Sequence, residues 1–192
     1  MHRLDKETSG LIIVAKNDEA HRKLASQFAR REVKKTYVAL VHGSVKHERS
    51  TVSSSISRDR VRRVRMTTRV AGGRAAVTHY RVLRRLDTSF GKFSLLDVKI
   101  DTGRTHQIRV HMASLGHPVV GDVLYGAPRG VSAHSNTRKK PLDSASALSL
   151  SRNFLHAAEL GFQHPRTGKE IALESPLPRE LQEFLAKLEG KG

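Results

Sequence analysis

Two strand-like segments joined by a very short turn constrain the fold of this chain more than any other feature. Residues 76–86 and 90–100 have the composition of strands, and only Asp87, Thr88 and Ser89 lie between them. So short a connection allows a reversal of direction but not a parallel crossover. The two segments therefore predict an antiparallel pair.

A helix is predicted to start directly from the end of the second strand. Ile108, Met112 and Leu115 have helical spacing within residues 104–115. Gly116 is a natural residue for the position just after a helix end. The polar start of this helix is therefore expected to lie at an edge of the sheet.

The N-terminal part predicts strand, helix and strand. Residues 11–15 are aliphatic and are expected to form a buried strand, and residues 18–31 carry apolar residues at helical spacing after the capping residue Asn17. Residues 35–42 alternate with period two. That alternation predicts one face made of Tyr37, Ala39 and Val41 and another made of Val38 and Leu40.

The C-terminal part predicts an insertion, two strands and a helix. Residues 128–153 are rich in serine and poor in large apolar side chains, so a disordered surface insertion is expected there. Residues 154–163 and 170–174 predict strands, and Pro178 opens a closing helix. Its buried stripe is predicted to consist of Leu181, Phe184, Leu185 and Leu188. Together the elements predict one α+β domain over residues 1–192, with a mixed, mostly antiparallel central sheet and flanking helices.

The net charge is strongly positive. The chain has 35 Lys and Arg against 18 Asp and Glu, a formal net charge of +17. This favours a polyanionic partner, because phosphate contacts supply most of the non-specific affinity for nucleic acids. The lack of cysteine excludes disulfides and Cys-based metal sites, and neither a membrane-length apolar run nor a secretory signal is recognisable. We therefore expect a soluble, cytoplasmic protein.

Residues 44–73 are polar and weakly patterned, and they predict a basic loop or hairpin. Within them the stretch RDRVRRVRMTTR at 58–69 holds six arginines and one acid. Val61, Val64 and Met66 are expected to anchor one side of it. A charge run of this sign predicts contacts with phosphates, with a solvated surface as the alternative. The arginines that we assign to RNA binding are Arg58, Arg60, Arg62, Arg63 and Arg65.

Four segments, in order and at matching spacing, resemble the RluA-like pseudouridine synthases. They are HRLDKETSGLIIVAK from His2, KKTYVALVHG from Lys34, GRTHQIRVHMASLGHPVVGDVLYG from Gly103 and FLHAAELGFQHPRTGKEIALESPLP from Phe154. The resemblance implies the catalytic-domain fold of that family. It also implies isomerisation of specific uridines to pseudouridine in structured RNA, with large-subunit ribosomal RNA as the first candidate, transfer RNA as the second, and no cofactor or metal.

The resemblance implies that Asp5 is the catalytic nucleophile. In this family the base is detached from its sugar, rotated and rejoined through C5. A carboxylate can form and release a bond to carbon, but it must stay ionised where water is excluded, and desolvation raises the pKa of a carboxyl group. Arg109, at the matching motif position, is expected to oppose that shift through a forked hydrogen bond. Attack on the sugar, attack on the ring and removal of a sugar proton are all open for Asp5.

Three further residues are assigned to the site. Tyr37 matches the family's active-site tyrosine, which is expected to stack on the uracil and help move a proton; a core aromatic is the alternative. Arg3 matches the arginine that enters the RNA helix where the target nucleotide leaves, with a phosphate contact as the alternative. Arg104 is assigned to phosphate or to local support. His106 and His111 do not share a helix face as a metal pair does, so the histidines are expected to have structural roles or to form hydrogen bonds around the pocket.

The sequence departs from the family at its start, where only Met1 precedes the HRLD segment. Members of the family carry further strands there, often with an RNA-binding domain of the S4 type, so we expect a catalytic domain that lacks the family's first strands. A monomer is expected. The alternatives are a non-catalytic basic RNA-binding module derived from the same scaffold, and a basic structural protein of the ribosome without a discrete pocket.

Overall fold

The structure is a computed structural model that describes residues 2–133 and 147–190. Its strands are β1 (Ser9–Gly10), β2 (Lys34–His42), β3 (Arg49–Ser53), β4 (Ser57–Arg58), β5 (Met66–Thr67), β6 (Val77–Thr88), β7 (Gly91–Ile100), β8 (Gly130–Ser132), β9 (Ala147–Ser149), β10 (Leu155–Gln163) and β11 (Glu170–Glu174). Its α-helices are α1 (Asp18–Ala29), α2 (Gln107–Ser114) and α3 (Arg179–Leu188), and a 3₁₀ turn covers Val123–Tyr125.

A mostly antiparallel sheet forms the centre of the fold. Seven strands pair in the order β1-β10-β2-β7-β6-β3, with β11 also paired to β10. The β1–β10 pair is parallel, and the other pairs are antiparallel. This confirms the predicted α+β class and the predicted pairing of β6 with β7.

Alternate residues of β2 face two separate cores, as the period-two pattern predicts. Tyr37, Ala39 and Val41 belong to a core that includes Ile108 and Met112 of α2. On the other face, Leu40 packs in a core with α3. The predicted stripe of α3, which consists of Leu181, Phe184, Leu185 and Leu188, is buried there. The two helices therefore cover opposite faces of the sheet.

The predicted buried strand at residues 11–15 is wrong. The ladder with β10 is limited to Ser9 and Gly10, after which the Leu11 N–H donates to the Ala157 carbonyl at 3.0 Å. Gly10 has φ of +111°, and a Cβ there would lie 2.2 Å from the Ala157 carbonyl oxygen. The backbone runs beside β10 at this close contact and then leaves the sheet. Ile12 and Val14 are consequently 52% and 72% exposed.

The basic region at 44–73 contains a strand that the sequence pattern does not reveal. β3 pairs with β6 at the edge of the sheet, and its residues RSTVS are mostly exposed. Within this edge strand only Val52 packs against the core, so the strand carries no apolar alternation. The predicted hairpin exists as the β4–β5 pair. Only Met66 packs at its base, however, because Val61 and Val64 are exposed to solvent.

The serine-rich region is ordered at both of its ends. β8 and β9 form a two-stranded antiparallel sheet, and Val131 and Leu148 pack against the α3 core. The expectation of disorder over 128–153 is therefore wrong for these flanks, and the part at 134–146 lies outside the described residues. Within 2–133 and 147–190, none of the helices has the length and apolar character that crossing a membrane requires.

Candidate active site

A cleft of about 410 Å³ opens where four parts of the chain meet. Its walls come from the N-terminal segment at 2–8, the end of α1, the start of β2 and the turn that connects β7 to α2. Asp5, Tyr37 and Arg109 all line this cleft. The fold therefore brings together three residues that are far apart in sequence and that the family resemblance assigns to catalysis.

Gln107 holds the turn from β7 into α2. Its side-chain oxygen accepts from the Arg104 N–H at 3.1 Å and from the Thr102 hydroxyl at 2.7 Å. Its side-chain nitrogen donates to the Val77 carbonyl at 2.9 Å and to the Thr78 hydroxyl at 3.0 Å. Since Gln107 is buried, these bonds satisfy its amide and fix the start of α2 against β6.

Arg109 joins two carboxylates at the floor of the cleft. Its Nη1 donates to Asp5 Oδ2 at 3.2 Å. Its Nε and Nη2 donate to the two carboxylate oxygens of Asp122 at 2.6 and 2.8 Å. The side chains of Arg109, Asp122 and Asp5 are 7%, 1% and 15% exposed. Asp122, and not Asp5, thus forms the forked hydrogen bond with Arg109. Asp5 accepts a single hydrogen bond, from Nη1.

The position of Asp122 depends on the loop that carries it. Gly121 has φ of +82°, and a Cβ there would lie 2.0 Å from the Arg152 carbonyl oxygen. The Asp122 carboxylate also caps the 3₁₀ turn by accepting from the Tyr125 N–H at 3.3 Å. Burial disfavours the charge of Arg109, but the bonds to Asp122 and Asp5 outweigh it and raise the pKa of the guanidinium above its usual value. Arg109 therefore stays charged.

Contacts at the N-terminal segment hold Asp5 in place. The His2 ring stacks on Phe28 with centroids 4.8 Å apart, and its Nε2 accepts from the Ile13 N–H at 2.9 Å. The Thr8 N–H donates to the Asp5 carbonyl at 3.0 Å, which closes a turn over the intervening residues. The segment is therefore tied to α1 on one side and to Arg109 on the other.

Tyr37 is buried beneath the cleft and stays protonated. It is 7% exposed and packs in the core formed with α2. Burial, with a contribution from the negative charge of Asp5, raises the pKa of its hydroxyl to about 12. The hydroxyl is therefore a hydrogen-bond donor at neutral pH and a poor base, which favours a stacking and positioning role over proton removal.

Tyr125 connects the basic hairpin to Arg109. Its hydroxyl accepts from the Met66 N–H at 2.8 Å and pairs with His106 Nδ1 at 2.9 Å. The guanidinium carbons of Arg65 and Arg109 each lie 5.1 Å from the centroid of its ring. His106 adopts a left-handed conformation with φ of +56°, a strained geometry that aims its ring at this contact.

Tyr37 and Tyr125 predict a loss of stability at high pH. Burial is the main cause that raises the pKa of both Tyr37 and Tyr125 to about 12, whereas an unfolded chain has a tyrosine pKa of about 10. The folded state thus holds these protons more tightly. The resulting stabilisation is complete below about pH 10 and is lost as the pH rises towards about 12. We expect about 3 kcal/mol per tyrosine to be lost.

Urea unfolding across this alkaline range measures the effect, and Tyr125→Phe is the matched variant because it removes one of the two titrating groups. Its stability is expected to fall less steeply with pH than that of the wild type. Tyrosinate absorbance that develops fully near about pH 10 in the folded chain contradicts the prediction.

The predicted RNA-binding arginines fall into two groups. Arg3 and Arg104 line the cleft, and the Arg104 Nε also donates to the Ala75 carbonyl at 3.2 Å, which gives it the local supporting contact. The hairpin arginines do not line the cleft. Arg65 packs on Tyr125, and the exposed members are Arg58, Arg60, Arg62 and Arg63.

Sequence reasoning missed Asp122 and Tyr125. Both lie in the motif that carries the resemblance, yet a single acid and a single aromatic in a loop carry no local pattern. The signal that the sequence offers is an acidic residue downstream of Arg109 that is able to pair with it. The expected structural role of the histidines is confirmed for His111, whose buried ring pairs with the Thr78 hydroxyl at 2.9 Å and the Ser54 carbonyl at 3.1 Å.

Comparisons with known proteins give the family of the chain. Residues 1–114 match the family model described as RNA pseudouridylate synthase. The chain is 46% identical over 191 residues to an uncharacterized RNA pseudouridine synthase of Chloroflexus aurantiacus, covering 100% of this chain and 54% of that protein. It is 40% identical over 183 residues to the ribosomal large subunit pseudouridine synthase D of Zymomonas mobilis, covering 95% and 53%. The chain thus spans about half the length of these relatives.

A solved structure shows the same fold. Human RNA Pseudouridylate Synthase Domain Containing 1 superposes with a TM-score of 0.73 at 31% identity, over 99% of this chain and 71% of that one. The family match covers the HRLD segment, Tyr37 and Arg109. On these grounds the chain belongs to the RNA pseudouridylate synthase family.

Proposed function

We propose that this chain is a single catalytic domain that isomerises specific uridines to pseudouridine in structured RNA. One observation carries the proposal. The Asp5 carboxylate lies in a cleft beside Tyr37, with Oδ2 held by Arg109. Among the described residues no donor bonds to its Oδ1, so one oxygen of this cleft-lining carboxylate is left unbonded for reaction.

The proposed reaction is balanced without any co-reactant. The bond between N1 of uracil and C1′ of the sugar breaks, and a bond between C5 and C1′ forms. The proton that leaves C5 is replaced by one gained at N1, so no atom is added or removed overall. Asp5 supplies the carboxylate that this chemistry requires, by attack on the sugar, attack on the ring or removal of a sugar proton. Arg109 keeps it oriented, and Tyr37 supplies an apolar face for the base.

The substrate is proposed to be large-subunit ribosomal RNA first and transfer RNA second. The relative from Zymomonas mobilis is named for the ribosomal large subunit, and the net charge of +17 suits a polyanion. Arg3 is proposed to enter the RNA helix at the vacancy, and the hairpin arginines to contact phosphates. A protein that modifies ribosomal RNA acts where ribosomes are assembled, so the cytoplasm is the proposed location. Action as a monomer is a separate part of the proposal.

A non-catalytic RNA-binding module is the competing function. Both candidates bind RNA, so turnover separates them. The chain is incubated with unmodified transcripts of bacterial large-subunit ribosomal RNA and of transfer RNA. Pseudouridine is then quantified by mass spectrometry of the digested RNA, beside a filter-binding measurement of Kd. Pseudouridine in the ribosomal transcript supports the proposal, whereas tight binding without any conversion favours the module.

A further inference from the structure

Lys35 is a half-buried cation without an anionic partner among the described residues. It lies on β2 two residues before Tyr37, so both side chains are on the cleft face, and Lys35 lines the cleft. Its Nζ lies 5.6 Å from the centre of the Phe28 ring. Burial alone lowers the pKa of its amine, with no acid contributing among the described residues. An ammonium group withdrawn from water is costly unless a counter-charge is supplied.

The acids around the cleft do not supply that counter-charge. Asp5 is paired with Arg109, and Asp101 is paired with His79 at 3.0 Å. These carboxylates are thus held by other partners, Asp5 together with Asp122 by Arg109 and Asp101 by His79, and none of the three bonds to Lys35. The wall made by β2 and α1 keeps its positive charge. An anionic group of the ligand can therefore pair with the positive charge of that wall.

Arg31 lies on the same wall in a strained conformation. It occupies the position just after the end of α1, with φ of +60°. The Arg31 N–H donates to the Phe28 carbonyl at 3.2 Å and the Glu32 N–H to the Gln27 carbonyl at 3.0 Å, which is the Schellman arrangement. Glycine is the usual residue at this position because a Cβ is unfavourable there. This position is occupied instead by Arg31, which lines the cleft.

We propose that Lys35 and Arg31 form a phosphate-binding site that holds the RNA backbone beside the nucleotide positioned against Tyr37. This inference rests on the proposed function, since it takes RNA as the ligand. Lys35 supplies a partly desolvated point charge, and Arg31 supplies a planar donor at the rim. The phosphodiester neutralises Lys35 only when the nucleotide occupies the cleft. The site therefore couples backbone binding to occupancy of the catalytic position.

The test compares Lys35→Gln with Lys34→Gln, using a transcript of large-subunit ribosomal RNA as the probe. Lys34 is the matched control, because it is the neighbouring lysine, 81% exposed and paired with Glu170 at 3.5 Å. Both variants lose one positive charge. We expect Lys35→Gln to raise Kd about tenfold and to reduce the slope of log Kd against log salt by about 0.7–0.9. Lys34→Gln is expected to change Kd by about twofold or less, and Lys35→Arg to restore binding.

Arg31→Gly gives an independent readout that a purely structural residue would not produce. Glycine relieves the backbone strain, so the thermal midpoint is expected to rise by about 2–4 °C, while Kd for the same transcript increases. Arg30→Ala is its control, since Arg30 is exposed and pairs with Glu32 at 3.1 Å.

Three results overturn the phosphate site: equal changes in Kd for the two lysine variants, an unchanged Kd for Arg31→Gly, or no binding of the transcript by the wild type. Binding is measured without turnover, so a wild type that binds but forms no pseudouridine refutes the proposed function alone. In that case the Kd values of the Lys35 and Arg31 variants still test the phosphate site.

Discussion

Asp5→Asn is expected to abolish pseudouridine formation, with turnover reduced by about 10⁴-fold or more. Asparagine is nearly the same size and keeps an oxygen that can accept from Arg109, but it lacks the negative charge that reacts. RNA binding should persist, because removing an acid from a chain of net charge +17 does not weaken its attraction to phosphate. Single-turnover rates and Kd on one transcript measure both effects.

Asp18→Asn is the control for the change of charge. Asp18 lies exposed in the first turn of α1 and does not line the cleft. Its turnover and affinity should match those of the wild type. An Asp5→Asn variant that converts uridine at a rate close to the wild type refutes the catalytic assignment of Asp5. A variant that loses turnover and binding together assigns Asp5 to RNA binding instead.

Asp122→Asn is expected to produce the largest loss of stability, about 3 kcal/mol of unfolding free energy. The reason is that the buried Arg109 guanidinium loses the carboxylate that holds two of its nitrogens. Turnover should fall too, since Arg109 then no longer presents Nη1 to Asp5. Urea unfolding gives the free energy. Glu183→Gln, which breaks the exposed pair with Arg179, is the control and should cost less than about 0.5 kcal/mol.

A double variant separates stability from catalysis in this network. Replacing both partners of a buried ion pair with apolar residues of similar size leaves neither partner as an uncompensated charge. Asp5 then loses its bond from Arg109, but its side chain is 15% exposed, so its charge is less costly than that of the buried guanidinium. Arg109→Met combined with Asp122→Leu should therefore be more stable than Asp122→Asn and still be inactive. If the double variant regains turnover together with stability, Arg109 has only a structural role.

Elements with a buried face were predictable from the sequence because burial imposes a period. β2 shows this, since its two sets of side chains face two cores. The same logic fails where an element buries too few side chains to impose a period. The polar edge strand β3 carries no alternation, and the aliphatic residues Ile12 and Val14 lie outside the sheet in spite of their composition.

The candidate site was predictable to the extent that its residues lie in recognisable segments. Asp5 and Arg109 are 104 positions apart, and the family resemblance names both of them before the fold brings them together. Asp122 and Tyr125 owe their roles to tertiary contacts with Arg109 that no local pattern encodes. Lys35 carries no signal in the sequence, because its partial burial away from any acid among the described residues is a property of the tertiary structure.

The most direct test maps pseudouridines in the RNA of cells that lack this gene. We predict that one or a few positions of large-subunit ribosomal RNA remain uridine in these cells. Wild-type protein should restore pseudouridine at those positions, and Asp5→Asn, expressed at the same level, should not. An unchanged map in the deletion strain, or restoration by Asp5→Asn, contradicts a catalytic carboxylate at Asp5.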